Sequence, residues 1–306
     1  MVVTLIVGEK RGRFPFSNSL LIKRSREKIL VDLGLGYSHL SVLEGIDAVI
    51  ITHYHPDHIS LIGWASPRAK IYAPVLDTVF STLASLAKRF APMVWEKWVE
   101  MARAMGLPEK LPETKPYDFS EEVLGVQTLH LPGHLQSHHG VLVEDCLYGS
   151  DVDLTGFGPW YGNPEASLYQ FLNDIVFLAS LRPKRYCSSH KEKVFEGREV
   201  YEELAKYATK PLENALKMLD AIRAVGEASP RDLAGRGIVY PRIPQLYRDL
   251  YLYFEESIIR KTLEYLEHAG LVERKTTGRY VLAKTDYVER IGELKNKIRG
   301  EILQYA

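Results

Sequence analysis

The chain has 306 residues, 46% of them hydrophobic and 25% charged, and its 39 basic and 39 acidic side chains balance to zero. That length can bury a sizeable core and favours two unequal domains, while no stretch approaches the ~18 consecutive apolar residues of a membrane span. The balanced charge offers no bulk field for long polyanions, and two cysteines, Cys146 and Cys187, exclude a disulfide framework.

The opening MVVTLIVGEKRGRF has an apolar run of six residues with no basic stretch before it and no cleavage site after it. It reads as a first strand, and the expected location is the cytoplasm. SLLIKR, KILVDLG, DAVIITH, AKIYAP and LGVQTLHLPGH continue as short β runs, and GVLVEDCLYGSD predicts a hairpin ending at Asp151. Strands with intervening helical stretches give a mixed α/β sandwich over residues 1–212. Helical spacing over about 76–107, broken near Pro92, predicts two inserted helices. They carry Trp95 and Trp98, read as core packing, with an apolar wall or lid over a site as the alternative. Both cysteines read as small core residues.

Residues 213–306 change character. NALKMLDAIRAV is a helix, SPRDLAG has a Ser cap and a Pro at the first helical position, and EESIIRKTLEYLEHAGL is a long helix ended by Gly270. LVERKTTGRYVLA then reads as two strands around a Thr-Gly turn, so this second, α+β domain resembles a winged helix. In the last segment Val288, Ile291, Leu294, Ile298 and Ile302 share one helical face. That face needs an apolar partner, either its own chain or a second copy in a homodimer. Scarce Asn and Gln beside abundant Lys, Arg and Glu suggest a thermostable protein.

Chemistry concentrates in Thr52-His53-Tyr54-His55-Pro56-Asp57-His58, just after an apolar strand. Three imidazoles and one carboxylate within six positions would each need a buried partner, which is a poor way to build a core. Alternate residues of an extended chain point the same way, so His53 and His55 can share one ion, and Asp57 and His58 can face a second. Further candidates end strands elsewhere: His134 after Leu131-Pro132-Gly133, Asp151 after Tyr148-Gly149-Ser150, and His190 after Cys187-Ser188-Ser189. Imidazole and carboxylate are ligands for zinc, the first expectation, or for manganese, iron or cobalt, and the absence of a nearby Cys argues against a closed structural zinc site.

This series of His53-x-His55-x-Asp57-His58, PGH at His134, GSD at Asp151 and late His190 resembles that of the metallo-β-lactamase fold hydrolases. The VDLG segment with Asp32 resembles their early aspartate motif, and the tail resembles a branch carrying a winged helix. The resemblance implies a four-layer αββα sandwich of two mixed sheets and two divalent metal ions as cofactor. His53, His55 and His134 would hold the first ion, Asp57, His58 and His190 the second, and Asp151 would bridge them. Ser60 and Ser137 stand where relatives often have Gly. Asp57, Asp151 and His138 are the expected catalytic residues, His138 either touching substrate or supporting the site from behind. His39, His130 and His268 read as structural.

Two ions about 3.5–4 Å apart can share a water and lower its pKa, so a metal-bridging hydroxide is the expected nucleophile. Tyr54, His138 and Tyr161 are candidates to assist the leaving atom. The expected substrate is a small-molecule ester, chiefly a phosphodiester, with phosphotriesters and other activated esters as side reactions. Thioesters and lactones are the alternative. A second alternative is RNA cleavage or nucleic-acid binding, with Arg260, Lys261, Arg274, Lys275 and Arg279 as a basic strip. Interleaved Glu255, Glu256, Glu264, Glu267 and Glu273 weigh against it.

Overall fold

A computed structural model describes all residues from Met1 to Ala306. The first sheet runs β1 (Val2–Ile6), β2 (Ser19–Lys23), β3 (Lys28–Val31), β4 (Ala48–Ile50), β5 (Lys70–Pro74) and β6 (Lys115–Tyr117), in that spatial order. Its pairings are antiparallel up to β3 and parallel from there on. The second sheet contains β7 (Glu122–Val123), β8 (Val126–His130), β9 (His139–Val143), β10 (Cys146–Tyr148), β11 (Arg185–Cys187) and β12 (Phe195–Glu196). Its strands also lie side by side in chain order, and only β10 and β11 pair in parallel.

The period-two alternation of strands explains why these runs are apolar throughout. Leu20, Ile22, Ile29, Val31, Ala48 and Ile50 face across to Val141, Val143, Cys146 and Tyr148 and form the core between the sheets. Leu21, Leu30 and Val49, one residue out of phase, face the other way into a core with the helices Leu83–Phe90 and Trp95–Ala104. On the far side, helices Leu168–Ser180 and Arg198–Val225 cover the second sheet. The result is the expected four-layer αββα sandwich. The inserted helices are broken at Pro92 as expected, and Cys146 and Cys187 lie buried in the inter-sheet core with sulfurs 4.0 Å apart.

The boundary expected at 212/213 falls inside the helix Arg198–Val225, which carries Pro211 in its interior. Its buried stripe, Val200, Leu204 and Ala208, continues as Ala215, Leu219 and Ile222, so one helix serves both parts of the chain. Beyond it come Pro230–Leu233 with a Ser229 capping box, Arg248–His268, and a hairpin of β13 (Val272–Arg274) and β14 (Tyr280–Leu282). Ala228 bridges to Tyr280 beside that hairpin. The last helix, Tyr287–Leu303, buries Ile291, Ile298 and Ile302 in the same core as the second sheet. The apolar partner of that face is therefore the chain itself, and only Val288, 62% exposed, is left out. No helix is long and apolar enough to cross a membrane.

Candidate metal centre

Each candidate ligand follows the carboxyl end of a strand: β4 leads to His53–His58, β8 to His134, β10 to Asp151 and β11 to His190. The β4 loop turns into a short helix with Pro56 at its first position, which brings Asp57 and His58 round together. Gly34 is what lets this loop close. A Cβ there would lie 1.6 Å from the Asp57 carbonyl oxygen. Asp32, in the left-handed region at φ 64°, aims its carboxylate under the same loop. It accepts from the Thr52 N–H at 2.8 Å, the Thr52 hydroxyl at 2.9 Å, His58 Nδ1 at 2.8 Å and the Tyr148 hydroxyl at 3.2 Å.

Seven side chains meet in two groups of ligand atoms, each group spanning no more than 4.8 Å. In the first, His55 Nδ1 lies 2.9 Å from both His53 Nε2 and His134 Nε2, and Asp151 Oδ2 lies 3.2 Å from His134 Nε2. In the second, His190 Nε2 lies 3.3 Å from Asp57 Oδ2. The other oxygen of Asp151 faces this group, 2.9 Å from His58 Nε2 and 3.5 Å from His190 Nε2. Asp151 thus stands between the two groups, one oxygen to each, which is the bridging position expected of it.

The hydrogen bonds behind the rings fix which nitrogens point inward. Nδ1 of His134 donates to the Trp160 carbonyl at 2.8 Å, Nδ1 of His190 to the Gly12 carbonyl at 2.7 Å, and Nδ1 of His58 to Asp32. Their Nε2 atoms therefore point inward, that of His134 to the first group of ligand atoms and those of His58 and His190 to the second, toward the oxygens of Asp151 and Asp57. His58 Nε2 is buried 2.9 Å from Asp151 Oδ1 but out of line for a hydrogen bond to it. The donor sets, three imidazoles with a carboxylate and two imidazoles with two carboxylates, fit two divalent ions of the zinc, iron, manganese or cobalt kind.

Electrostatics agree. Burial pushes His55 down to about 3 and His53 well below its ordinary value, with neighbouring imidazoles adding to the effect, so both are held neutral as ligands must be. Around the second group, burial again disfavours charge, but the carboxylates of Asp151 and Asp32 outweigh it and raise His58 well above its usual range. Burial opposes charge on His190 too, yet its hydrogen bond to Asp57 and the Asp151 carboxylate carry it up to about 9. The second group therefore has the excess negative charge that a cation would neutralise.

Three expectations need correction. His138 is fully buried, receives the Asp151 N–H on Nε2 at 3.2 Å and donates from Nδ1 to the Leu131 carbonyl at 3.0 Å. Both nitrogens are spent and the ring does not reach the cleft, so it positions Asp151 from behind and cannot touch substrate. Tyr54 and Tyr161 are likewise buried, their hydroxyls bonded to Thr114 and Thr262 at 2.9 Å, which removes them as leaving-group donors. The basic strip, raised only as an alternative, is interrupted at three of its five positions. Lys261 is 6% exposed and points inward, Arg279 pairs with Glu227 and Asp232, and Arg260 pairs with Glu264. Ser60 and Ser137 touch no ligand; they bond to the Leu33 carbonyl and to Arg89.

Sequence reasoning missed Asn163 at the centre and the inward role of Lys261 behind it. The Asn163 amide lies 2.6 Å from His55 Nε2, and its Oδ1 is otherwise unpartnered. With His55 offering Nδ1 to an ion, Nε2 carries the proton and the amide oxygen is the natural acceptor, so the amide is best turned that way. Lys261 Nζ bonds the carbonyls of Tyr161, at 3.0 Å, and Asn163. Its signal was a lysine in an apolar helical stripe, in step with Phe254, Ile258 and Tyr265. Asn163 gave no comparable signal.

The sandwich together with this ligand series defines the class: a metal-dependent hydrolase fold with its site at the strand ends. The metallo-beta-lactamase superfamily sequence model matches residues 12–190. The chain belongs to the metallo-beta-lactamase superfamily, whose members are metal-dependent hydrolases. Among solved structures it is similar to a metallo-beta-lactamase family protein of Thermus thermophilus, with 22% identity, TM-score 0.67, and 92% of this chain and 98% of that one covered. A beta-lactamase domain protein of Burkholderia ambifaria has 18% identity and TM-score 0.63 over 89% and 90% of the two chains. An archaeal superfamily protein of Sulfolobus tokodaii has 17% identity and TM-score 0.55 over 86% and 98%. A search of the curated proteins gives no match.

Proposed function

We propose that this chain is a binuclear phosphoesterase that cleaves small phosphodiesters, with phosphotriesters and other activated esters as side substrates. The observation that carries this reading is Asp151, whose two oxygens face two complete sets of ligand atoms at the floor of one cleft of about 680 Å³. A bound ion pair there would lower the pKa of water and polarise the ester oxygens. The chain's own residues do the rest. His138 and Ser189 hold Asp151 in place, the hydroxyl of Ser189 donating to it at 2.6 Å. Asp32 fixes the tautomer of His58, and Trp160 that of His134.

The charge of the rim favours an anionic centre in the substrate. Arg13 and Lys191 line the cleft beside His190 and have no ion-pair partner, whereas Arg11 is tied to Glu192. Opposite them the wall is apolar and aromatic, a mouth of a size that suits a small organic ester and not a long polymer. That wall also leaves thioesters and lactones as the second reading, since it would hold an acyl group equally well. The test is a panel of chromogenic phosphodiester, phosphotriester, thioester, lactone and RNA substrates, run on enzyme reconstituted separately with zinc, manganese, cobalt and iron. The phosphodiester should lead, and Arg13→Ala should raise its KM. A lactone or thioester leading by a wide margin would replace the proposal.

A further inference from the structure

The cleft has a second end that the metal chemistry does not use. Its wall is built from Trp160 on the loop after β10 and from Tyr240, Tyr251 and Phe254, which come from beyond the sandwich. The rings are locked together. Trp160 meets Phe254 edge to face with centroids 5.1 Å apart, and Tyr240 meets Tyr251 in the same way at 5.2 Å. Gly162 makes the first contact feasible, since a Cβ there would come within 2.7 Å of the Trp160 ring and 3.1 Å of Phe254. The wall is continuous with the metal centre, because the Trp160 ring also packs against His55 at 5.6 Å and His134 at 5.7 Å.

Tyr240 is held from two sides. Buried Glu255 accepts from the backbone N–H groups of Gly235, Val239 and Tyr240 at 2.7, 3.1 and 3.3 Å, which fixes the segment carrying it. Its hydroxyl oxygen accepts from the Trp160 indole N–H at 2.7 Å. That bond uses a lone pair of the oxygen and orients the phenol. No protein acceptor takes its proton, so the hydroxyl of this cleft-lining residue keeps one donor free.

We infer that this end of the cleft is a binding pocket for a flat, aromatic group of the substrate, with the Tyr240 hydroxyl giving that group or its linking oxygen one hydrogen bond. Rigid ring edges and faces, fixed before anything binds, match a planar partner better than a flexible chain, which would lose rotamer freedom on entering. The pocket adjoins His55 and His134, so a ring seated there places its ester linkage at the metal floor. In this respect the inference rests on the proposed phosphoesterase reading, though the pocket itself does not.

The test separates the two. Calorimetric titration of the metal-loaded protein with methyl, octyl and 2-naphthyl phosphate, with free phosphate assayed in each sample so that only intact ester is counted, measures binding. The naphthyl ester should bind at least about tenfold tighter than methyl, the discrimination expected of a well-formed apolar pocket, and tighter than octyl. Phe254→Ala and Tyr251→Ala should each shrink the naphthyl-to-methyl ratio. Tyr240→Phe should weaken naphthyl phosphate while leaving the ring preference over octyl. Tyr251 is only half-buried, so its variant remains informative if Phe254→Ala fails to fold. Equal affinities for the three esters, or octyl ahead of naphthyl, overturn the inference. If naphthyl phosphate is preferred and lost in the variants but no phosphodiester is turned over, the pocket stands and the phosphoesterase assignment falls.

Discussion

Asp32→Asn changes one atom, and its cost can be worked from the contacts of the carboxylate. Two oxygens accept from four donors: the Thr52 amide and hydroxyl, His58 Nδ1 and the Tyr148 hydroxyl. An asparagine keeps one acceptor and puts an NH₂ in place of the other. The oxygen that faces Thr52 N–H has no substitute, so the NH₂ falls against His58 and Tyr148. Tyr148 can send its proton to the Asn18 carbonyl, 2.9 Å away, but His58 Nδ1–H is left buried and unpaired. One such group costs about 1–3 kcal/mol, and the loss of a charged acceptor puts the expected change in the upper half of that range. Losing the partner that orients a ligating ring should also weaken the second ion about 10–100-fold, with less effect on the first. Urea denaturation of stripped protein reads the first quantity, and competition with a graded chelator reads the second. An Asp32→Asn protein with unchanged midpoint and two unchanged affinities would refute the role assigned to this residue.

Other predictions follow the same contacts. His138→Phe should fill the space but remove the acceptor for the Asp151 amide, lowering kcat and metal affinity by about tenfold while KM changes little; a rise in KM alone would return His138 to the substrate. Gly34→Ala should cost about 3 kcal/mol or more, since the methyl would overlap the Asp57 carbonyl, and thermal melts with metal analysis check it. Burial pulls Lys261 from 10.5 down to about 7, so between those values the unfolded chain holds a proton that the folded chain lacks. The contribution of Lys261 to folding stability should therefore climb as pH rises from about 7 to 10.5, against the opposite contribution of His190, and the difference between wild type and Lys261→Met in denaturation series across this window isolates it. A difference between the two that stays flat or falls across it would contradict the buried position of Lys261.

Much of the sandwich was legible because strand alternation and the dense His cluster are local signals. KILVDLG announces both a buried strand and the aspartate beneath the metal loop, and SPRDLAG announces its own cap, found as the Ser229–Asp232 capping box. The pairing of the ligands into two groups rests on the family resemblance of the whole series, which no single residue carries. What failed depends on distance. His138 reads as a second histidine beside His134, and only the path of β9 shows that its ring turns inward to the Asp151 amide. Lys261 reads as one charge in a mixed-charge helix until the loop at 161–163 is packed over it. The helix through 212/213 is not legible locally, since Pro211 is a strong breaker and only tertiary burial of Leu212 and Ala215 outweighs it.

The account turns on whether water is activated by ions gathered at Asp151. Metal counting by native mass spectrometry on the purified protein, paired with turnover on the same sample, tests this directly. Two divalent ions per chain are expected in the wild type, with ions and turnover lost together in Asp151→Ala. Undiminished turnover from protein carrying no ions, or a variant that keeps both ions and full rate, would contradict it.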